Sequence, residues 1–440
     1  METITRVGRN MQMILGSISD QVAVKTGFTL RKSKVTGSKF MTALVTSSLT
    51  NPEWRYTDLV TAALNAGVGI TKQGLAQRFS PASADLARCV LETAVQFVID
   101  SQPMAMPLLK RFNGVYIRDS STISLPHELK TLWPGGASAQ GEYARVKLHV
   151  RLEVCSGQLG GPVLVAGREH DSKSPFQMEE LRKGALRMGD LGFFSLDQFA
   201  VDSEQGIYWL SWYKADTCLY YAEDGQPLHL LKWLGEQMED QSELQVQLGQ
   251  KHRLPCRLIA IRVPPAEVEE RRRRLREYAQ KKQVALRAER LALAEWDLIL
   301  TNIPQELLTI SESLVLMRVR WQIELLFKRW KSLFQIDEWR SKNIWRILTE
   351  LYAKLLSVVI EHWIGLIRMT RVAHPSYWKA AMVVRLFATP LALALQDFSQ
   401  LVNVLTRIAE HFEHHCHVDP RRKRPSIYQL LEGPPCTTLA

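Results

Sequence analysis

The spacing of apolar residues along this chain changes period. From Gln12 to Asp100 they recur at helical spacing, as in TDLVTAALNAGVGI and ADLARCVLETAVQFVI, with short polar breaks. After Pro103 and Pro107 the period shortens to two. ARVKLHVRLEV, from Ala144 to Val154, sends Val146, Leu148, Val150, Leu152 and Val154 one way and Arg145, Lys147, His149, Arg151 and Glu153 the other. GVYIRDSSTISL predicts a short strand before it, ending in a polar turn at Asp119. Gly160-Gly161 turns the chain into PVLVAGRE, a hairpin partner. MEELRKGALRM predicts a helix leading to GDLGFF, SLDQFAVDSEQG a second helix, and IYWLSWYK a strand. Short strands return in SELQVQL and CRLIAIRV.

A charged helix is expected from about Pro265 to Leu293. Its acidic first turn (Glu267, Glu269, Glu270) complements the helix dipole. The following Arg271–Arg274 run reads first as a solvated face and second as a DNA contact. The most apolar long stretch, Ile344 to Ile367, carries Arg346, Glu350, Lys354 and Glu361. Charges at the middle of a lipid span are costly, so a buried helix is expected and no membrane span. The tail beyond Pro420, RRKRPSIYQLLEGPPCTTLA, is basic and Pro-rich and is expected to be loosely ordered.

Composition narrows the partners. Lys and Arg outnumber Asp and Glu by 56 to 45 in 440 residues, a net charge of +11 that favours nucleic acid or another polyanion. Met1 leads into ETITRVGRN, which has no apolar signal segment. The six cysteines lack CxxC spacing, which suits free thiols in a reducing cytosol, on nucleoid DNA if the partner is the chromosome. Gly-rich phosphate loops are missing, so no nucleotide cofactor is expected. His411, His414, His415, Cys416 and His417 fit no tetrahedral zinc signature and read as a solvated helix end. Ser120 and Ser121 lack the G-x-S-x-G elbow of a hydrolase.

Two segments carry chemistry. In RWQIELLFKRWK, Arg320, Glu324, Lys328 and Lys331 are spaced to share one face of a helix. One carboxylate among three cations suits a group that holds a divalent metal while its neighbours grip a phosphate backbone. Near the amino terminus, GVGITKQGLAQRF resembles a turn feeding a helix that carries Lys72, Gln73, Gln77 and Arg78, a composition fit for reading a DNA groove.

Three strands, helix, strand, helix, strand and a long closing helix is the element order of a ribonuclease-H-like α/β domain. Such a sheet sets the ends of its first and fourth strands side by side and lays a helix across them. Asp119 and Asp190 would occupy those strand ends and Glu324 the helix. Three clustered carboxylates repel unless a cation intervenes. Two Mg²⁺ ions about 4 Å apart would relieve the repulsion, with Mn²⁺ as substitute.

With DSST at Asp119, GDLGFF at Asp190 and the stretch from WDLILTNIP to RWQIELLFKRWKS at Glu324, the chain resembles the DDE transposases of the insertion sequence 4 family. That family carries Tyr-x2-Arg-x3-Glu-x6-Lys. Here Arg320, Glu324 and Lys331 match, and Met317 stands at the Tyr position. The resemblance implies that Asp119, Asp190 and Glu324 bind metal and that Arg320 and Lys331 hold phosphates of a transposon end. It also implies that Trp296, which precedes Thr301-Asn302, stacks on a flipped base; a core Trp is the alternative.

The implied fold is a ribonuclease-H-like catalytic core with a mostly β insertion, flanked by helical amino- and carboxy-terminal regions. The expected divisions are an end-binding domain over 1–105, core over 106–216, insertion over 217–291, core again over 292–375, and a helical region with basic tail over 376–440. The implied activity is cutting of transposon ends and joining of 3′ ends to target DNA by a homodimer on paired ends. A catalytically silent DNA-binding descendant is the rival. A two-carboxylate glycosidase is disfavoured by the basic charge.

Overall fold

The computed structural model describes residues 2–31, 33–138, 141–419 and 425–432. The chain folds into two compact units. One comprises residues 1–105, 120–169 and 323–424, the other 106–119, 170–322 and 425–440. The architecture is mixed α/β with helical flanks.

The chain opens with helices α1 (Glu2–Met13), α2 (Ser19–Lys25), α3 (Gly37–Thr50), α4 (Tyr56–Asn65), α5 (Lys72–Ala76) and α6 (Pro81–Ala94). Local chemistry sets their starts. The Thr36 side chain accepts from the Lys39 amide ahead of α3, and Ser80 and Ser83 form a capping box around Pro81 in the first turn of α6. Strands β1 (Val115–Leu125), β2 (Pro134–Ser138), β3 (Gly141–Glu153) and β4 (Leu159–Ala166) follow. Then come β5 (Leu186–Gly189), α7 (Leu196–Glu204), β6 (Tyr208–Trp212), β7 (Leu219–Tyr221), α8 (Leu230–Gly235), β8 (Gln241–Leu248) and β9 (Leu254–Arg262). After α9 (Pro265–Lys282) and α10 (Ala288–Ala292), β10 (Trp296–Thr301) leads to α11 (Ile310–Val319), α12 (Trp321–Leu333) and α13 (Ile344–Leu366). The chain closes with α14 (Tyr377–Leu386), α15 (Ala388–Ala394), α16 (Phe398–His415) and α17 (Ile427–Glu432).

In the first unit α13 is the core. Every residue from Arg346 to Leu366 is buried, and the helix packs on α3 and α6. The charges that interrupt its apolar run therefore lie inside protein, as expected. β3 pairs antiparallel with β4 as the expected hairpin, and β2 pairs antiparallel with the first residues of β3. Val146, Leu148 and Val150 are fully buried, but so are Lys147, His149 and Glu153. Part of that second face is buried too, and Lys147 and Glu153 find backbone partners there. The Lys147 ammonium donates to the Glu169 carbonyl, and the Glu153 carboxylate accepts from the Cys155 and Ser156 amides.

In the second unit β1, β5 and β6 are paired in parallel. β10 joins β6 antiparallel, and β9, β8 and β7 continue antiparallel from it. Three parallel central strands after an antiparallel hairpin are consistent with a ribonuclease-H-like core. A hydrophobic cluster fills the insertion side, with Phe199 stacked on Trp209 at 4.3 Å and Trp296, Leu248, Leu258 and Leu300 among its buried members.

Three expected elements differ. MEELRKGALRM is not a helix: only Leu186–Gly189 is regular, and it is strand β5. Two buried arginines hold the carbonyls at and just before its start in an irregular course. Arg118 donates to the carbonyls of Phe176 and Gln177, and Arg187 to those of Phe176 and Glu179. β1 does not turn at Asp119 but runs through it to Leu125. The charged helix stops at Lys282, where Gln283 takes a left-handed conformation (φ 53°), short of the expected Leu293. Part of the basic tail, residues 420–424 and 433–440, lies outside the described residues, and Ile427–Glu432 is helical. Among the described residues no helix is long and apolar enough to cross a membrane.

Candidate active site

The parallel register of β1 and β5 aligns Ile117 with Met188 and Arg118 with Gly189. The next residue in each case is an aspartate, Asp119 within β1 and Asp190 just past the end of β5, so the two follow a paired position of neighbouring strands. Such strands lie about 4.8 Å apart. Both residues are half-buried. The Asp190 carboxylate is oriented locally, because it caps the turn Leu191–Phe193 and accepts from the Gly192 amide at 2.9 Å. The sequence reading missed Asp171: its Oδ2 and Oδ1 of Asp190 both lie about 3 Å from where a Gly192 Cβ would stand (2.9 and 3.0 Å).

Behind this pair lies a buried polar layer that the sequence reading also missed. Arg187 on β5 meets Asp202 of α7 at 3.0 Å, with the Asp202 side chain fully buried and further held by Gln198 at 2.9 Å. Burial pushes the Asp202 carboxyl up in pKa, against the pull of Arg187. Arg118, one residue before Asp119, is only 4% exposed and lies over the Phe193 ring at 5.2 Å. Burial, reinforced by Arg187, lowers its pKa to about 9, with Asp202, Glu179 and Asp190 opposing. It therefore remains a cation at neutral pH. The signal in the sequence was an arginine at an inward position of each strand: a buried charge has to be paired or hydrogen-bonded.

Glu324 belongs to the other unit, in the first turn of α12, half-buried. Along that helix Lys328 is exposed, while Arg329 is buried against Glu361 of α13 at 3.4 Å. Lys331, two turns after Glu324, donates to the Thr122 carbonyl of β1 at 3.2 Å, a backbone anchor in addition to any phosphate it could hold. Arg320 is not within α12 but at its junction with α11, still in helical conformation. Met317 is buried in α11 at 4% exposure.

Among the described residues no three His, Cys, Asp or Glu side chains are gathered as a metal-holding group. The Asp119 and Asp190 carboxylates are hard oxygen donors without thiolate or imidazole, the chemistry that suits a cation of the Mg²⁺ class.

Other expected contacts fare differently. Lys72, Gln73 and Gln77 are exposed on and just after α5, but α5 is only five residues long. Arg78 is half-buried: it donates to the Ser33 hydroxyl at 3.0 Å and lies over the Phe28 ring. Trp296 sits as the alternative reading, a core Trp, has it: it opens β10 in the hydrophobic cluster at 7% exposure, with the Arg262 guanidinium 4.4 Å from its ring. The Arg271–Arg274 run is a set of ion pairs. Arg271 pairs with Asp297, Arg272 with Glu269 and Glu295, Arg273 with Glu270 and Glu277, and Arg274 with Glu270.

Comparison with known proteins converges on one class. The family model described as "Transposase DDE domain" matches residues 110–360, more than half of the chain. The transposase for insertion sequence element IS231F of Bacillus thuringiensis subsp. israelensis is 25% identical over 442 residues, covering 94% of this chain and 91% of that protein. The transposase for IS1151 of Clostridium perfringens is 24% identical, covering 78% of this chain and 76% of its own length. A putative transposase InsL for IS186A of Escherichia coli (strain K12) is 35% identical over 106 residues, 24% of this chain and 29% of that protein.

Proposed function

Since the chain belongs to the DDE transposase family, we propose that it is the transposase of an insertion sequence, cutting the ends of its element and joining the 3′ ends to target DNA. Within that family we assign it to the insertion sequence 4 group, with Met317 at the Tyr position of the Y-R-E-K signature. Asp119, Asp190 and Glu324 would hold the divalent metal that the family implies. When bound, Mg²⁺, or Mn²⁺ as substitute, supplies the charge that activates an attacking water or 3′ hydroxyl and stabilises the leaving oxygen.

The protein's own groups bind and orient the DNA. Arg320, Lys328 and Lys331 grip phosphates near the scissile bond. Lys72, Gln73 and Gln77 face the terminal repeat, and a dimer on paired ends brings two such sites together. The single observation that supports this reading is the β1–β5 register, which pairs Arg118 with Gly189, the residues just before Asp119 and Asp190, within the family match. The silent-descendant reading is not favoured, because all three acids and the transposase likeness persist.

Changing Asp119, Asp190 or Glu324 to Ala should abolish cleavage of a labelled transposon end while leaving its gel shift nearly intact. Robust cutting by Asp190→Ala would overturn the assignment.

A further inference from the structure

α13 carries a line of charges at successive helical turns: Arg346, Glu350 and Lys354, each at most 6% exposed. The Lys354 ammonium uses all three of its donors. One goes to Glu350 Oε1 at 3.0 Å, and the other two go to the carbonyls of Gln335 at 3.1 Å and Glu338 at 2.7 Å. Those carbonyls belong to the turn that ends α12, where Gln335 takes a left-handed conformation (φ 46°). Arg385 of α14 captures the Leu333 carbonyl in the same place, so the carboxy-terminal end of α12 is held by two cations from other helices.

At the other end of the line, the Arg346 guanidinium sits in an aromatic box of Trp54, Tyr56 and Phe79, at 5.0, 4.1 and 5.7 Å from their rings. Glu350 lies between the two cations, 4.0 Å from Arg346.

We infer that Lys354 is a positioning residue for the helix that carries Glu324. Its ammonium sets the turn that ends α12 and so the direction in which α12 presents Glu324, Lys328 and Lys331, while Glu350 and Arg346 tie that setting to the amino-terminal helices. The inference rests on the reading of Glu324 as a metal ligand.

Stability alone does not ask for this arrangement. Buried ion pairs are often matched or bettered by apolar side chains of similar volume. An apolar side chain, however, offers no donor to two carbonyls that define a turn. Lever geometry sets the scale. Gln335 is eleven residues beyond Glu324, about 16 Å along a helix. A tilt of about 4° at that end moves the carboxylate by about 1 Å, and a misplacement of that size costs about 100-fold in rate.

The test uses full-length Lys354→Met and the double variant Glu350→Leu/Lys354→Met. The readouts are thermal midpoint, gel-shift Kd for the transposon end, single-turnover cleavage rate and half-saturating Mg²⁺. Lys354→Met should cut 30- to 100-fold more slowly and need several-fold more Mg²⁺, with end binding within threefold of the parent. The double variant should regain the parental thermal midpoint yet stay slow and Mg²⁺-hungry, and it carries the test if the single variant does not fold. A double variant with the parental midpoint, rate and Mg²⁺ requirement would make the line a stability device only and end the proposal. Glu324→Gln is run alongside. Normal cutting by it removes the reading of Glu324 and this inference with it, whereas a dead Glu324→Gln beside a fast double variant removes the inference alone.

Discussion

Gly192→Ala is a one-methyl probe of the candidate active site. The added Cβ would stand 3.0 Å from Oδ1 of Asp190 and 2.9 Å from Oδ2 of Asp171, inside ordinary van der Waals contact with both. The backbone at Gly192 lies outside the left-handed region, so alanine carries no conformational penalty there. Restricting the unfolded chain stabilises by about 0.4–1 kcal/mol, while overpacking costs about 1–3 kcal/mol. The net loss is at most about 2.6 kcal/mol, small enough for the protein to stay folded. The carboxylates have to retreat by a few tenths of an ångström, and the Gly192 amide that orients Asp190 shifts with them. If 1 Å costs about 100-fold, a displacement of this size costs roughly tenfold in cleavage. The assay is single-turnover cleavage across a Mg²⁺ titration, beside a gel shift and a thermal melt. A parental rate with a parental Mg²⁺ midpoint would show that Asp190 is not at the reacting centre.

Two further perturbations test the buried and exposed charges. His362 is buried, with Nε2 2.7 Å from the Gly157 carbonyl, and burial together with Arg329 lowers its pKa from 6.5 to about 4. The folded-state pKa is depressed, so below pH 6.5 the unfolded chain takes up a proton that the native protein refuses. Its contribution is full above pH 6.5 and fades as the pH falls towards 4, by roughly 3 kcal/mol in total. His362→Gln should lose roughly 2–3 kcal/mol less than the parent between pH 7 and pH 4.5 in urea unfolding, and equal losses would refute the assignment. On α9, Arg273→Ala and Arg274→Ala should leave the salt dependence of DNA binding unchanged, because both side chains are engaged by Glu270. A slope reduced by about one unit would mean a phosphate contact there.

Local patterns carried much of the fold. The period-two run from Ala144 identified β3, PVLVAGRE its hairpin partner, and SLDQFAVDSEQG and IYWLSWYK the α7–β6 pair; the hairpin turns at residues 154–156, and Gly160-Gly161, expected to make the turn, lies inside β4. The charges within Ile344–Ile367 correctly marked a protein-buried helix. What escaped depends on partners distant in sequence. No local window reveals that Arg118 and Arg187 claim the carbonyls of residues 176–179, or that β1 continues past Asp119. The candidate aspartates were legible as residues, but their place after a paired position comes from a register that only the pairing of β1 with β5 sets. Trp296 was left between two readings for the same reason: an aromatic beside a polar pair looks alike whether its face meets a base or an arginine. Its burial follows from the strands around it.

The segment from Phe176 to Glu179 leads into a course that local sequence does not favour. MEELRK has the composition of a good helix former, yet its native course is dictated by two guanidinium groups on strands β1 and β5. Those groups stand together because the two strands pair, so local preference and final structure pull in opposite directions. It is a point of frustration lying directly between His170-Asp171 and Asp190. The chain that joins Asp171 to Asp190 is therefore held against its local preference by two arginines, and freeing either one would loosen the link between the two carboxylates that flank Gly192.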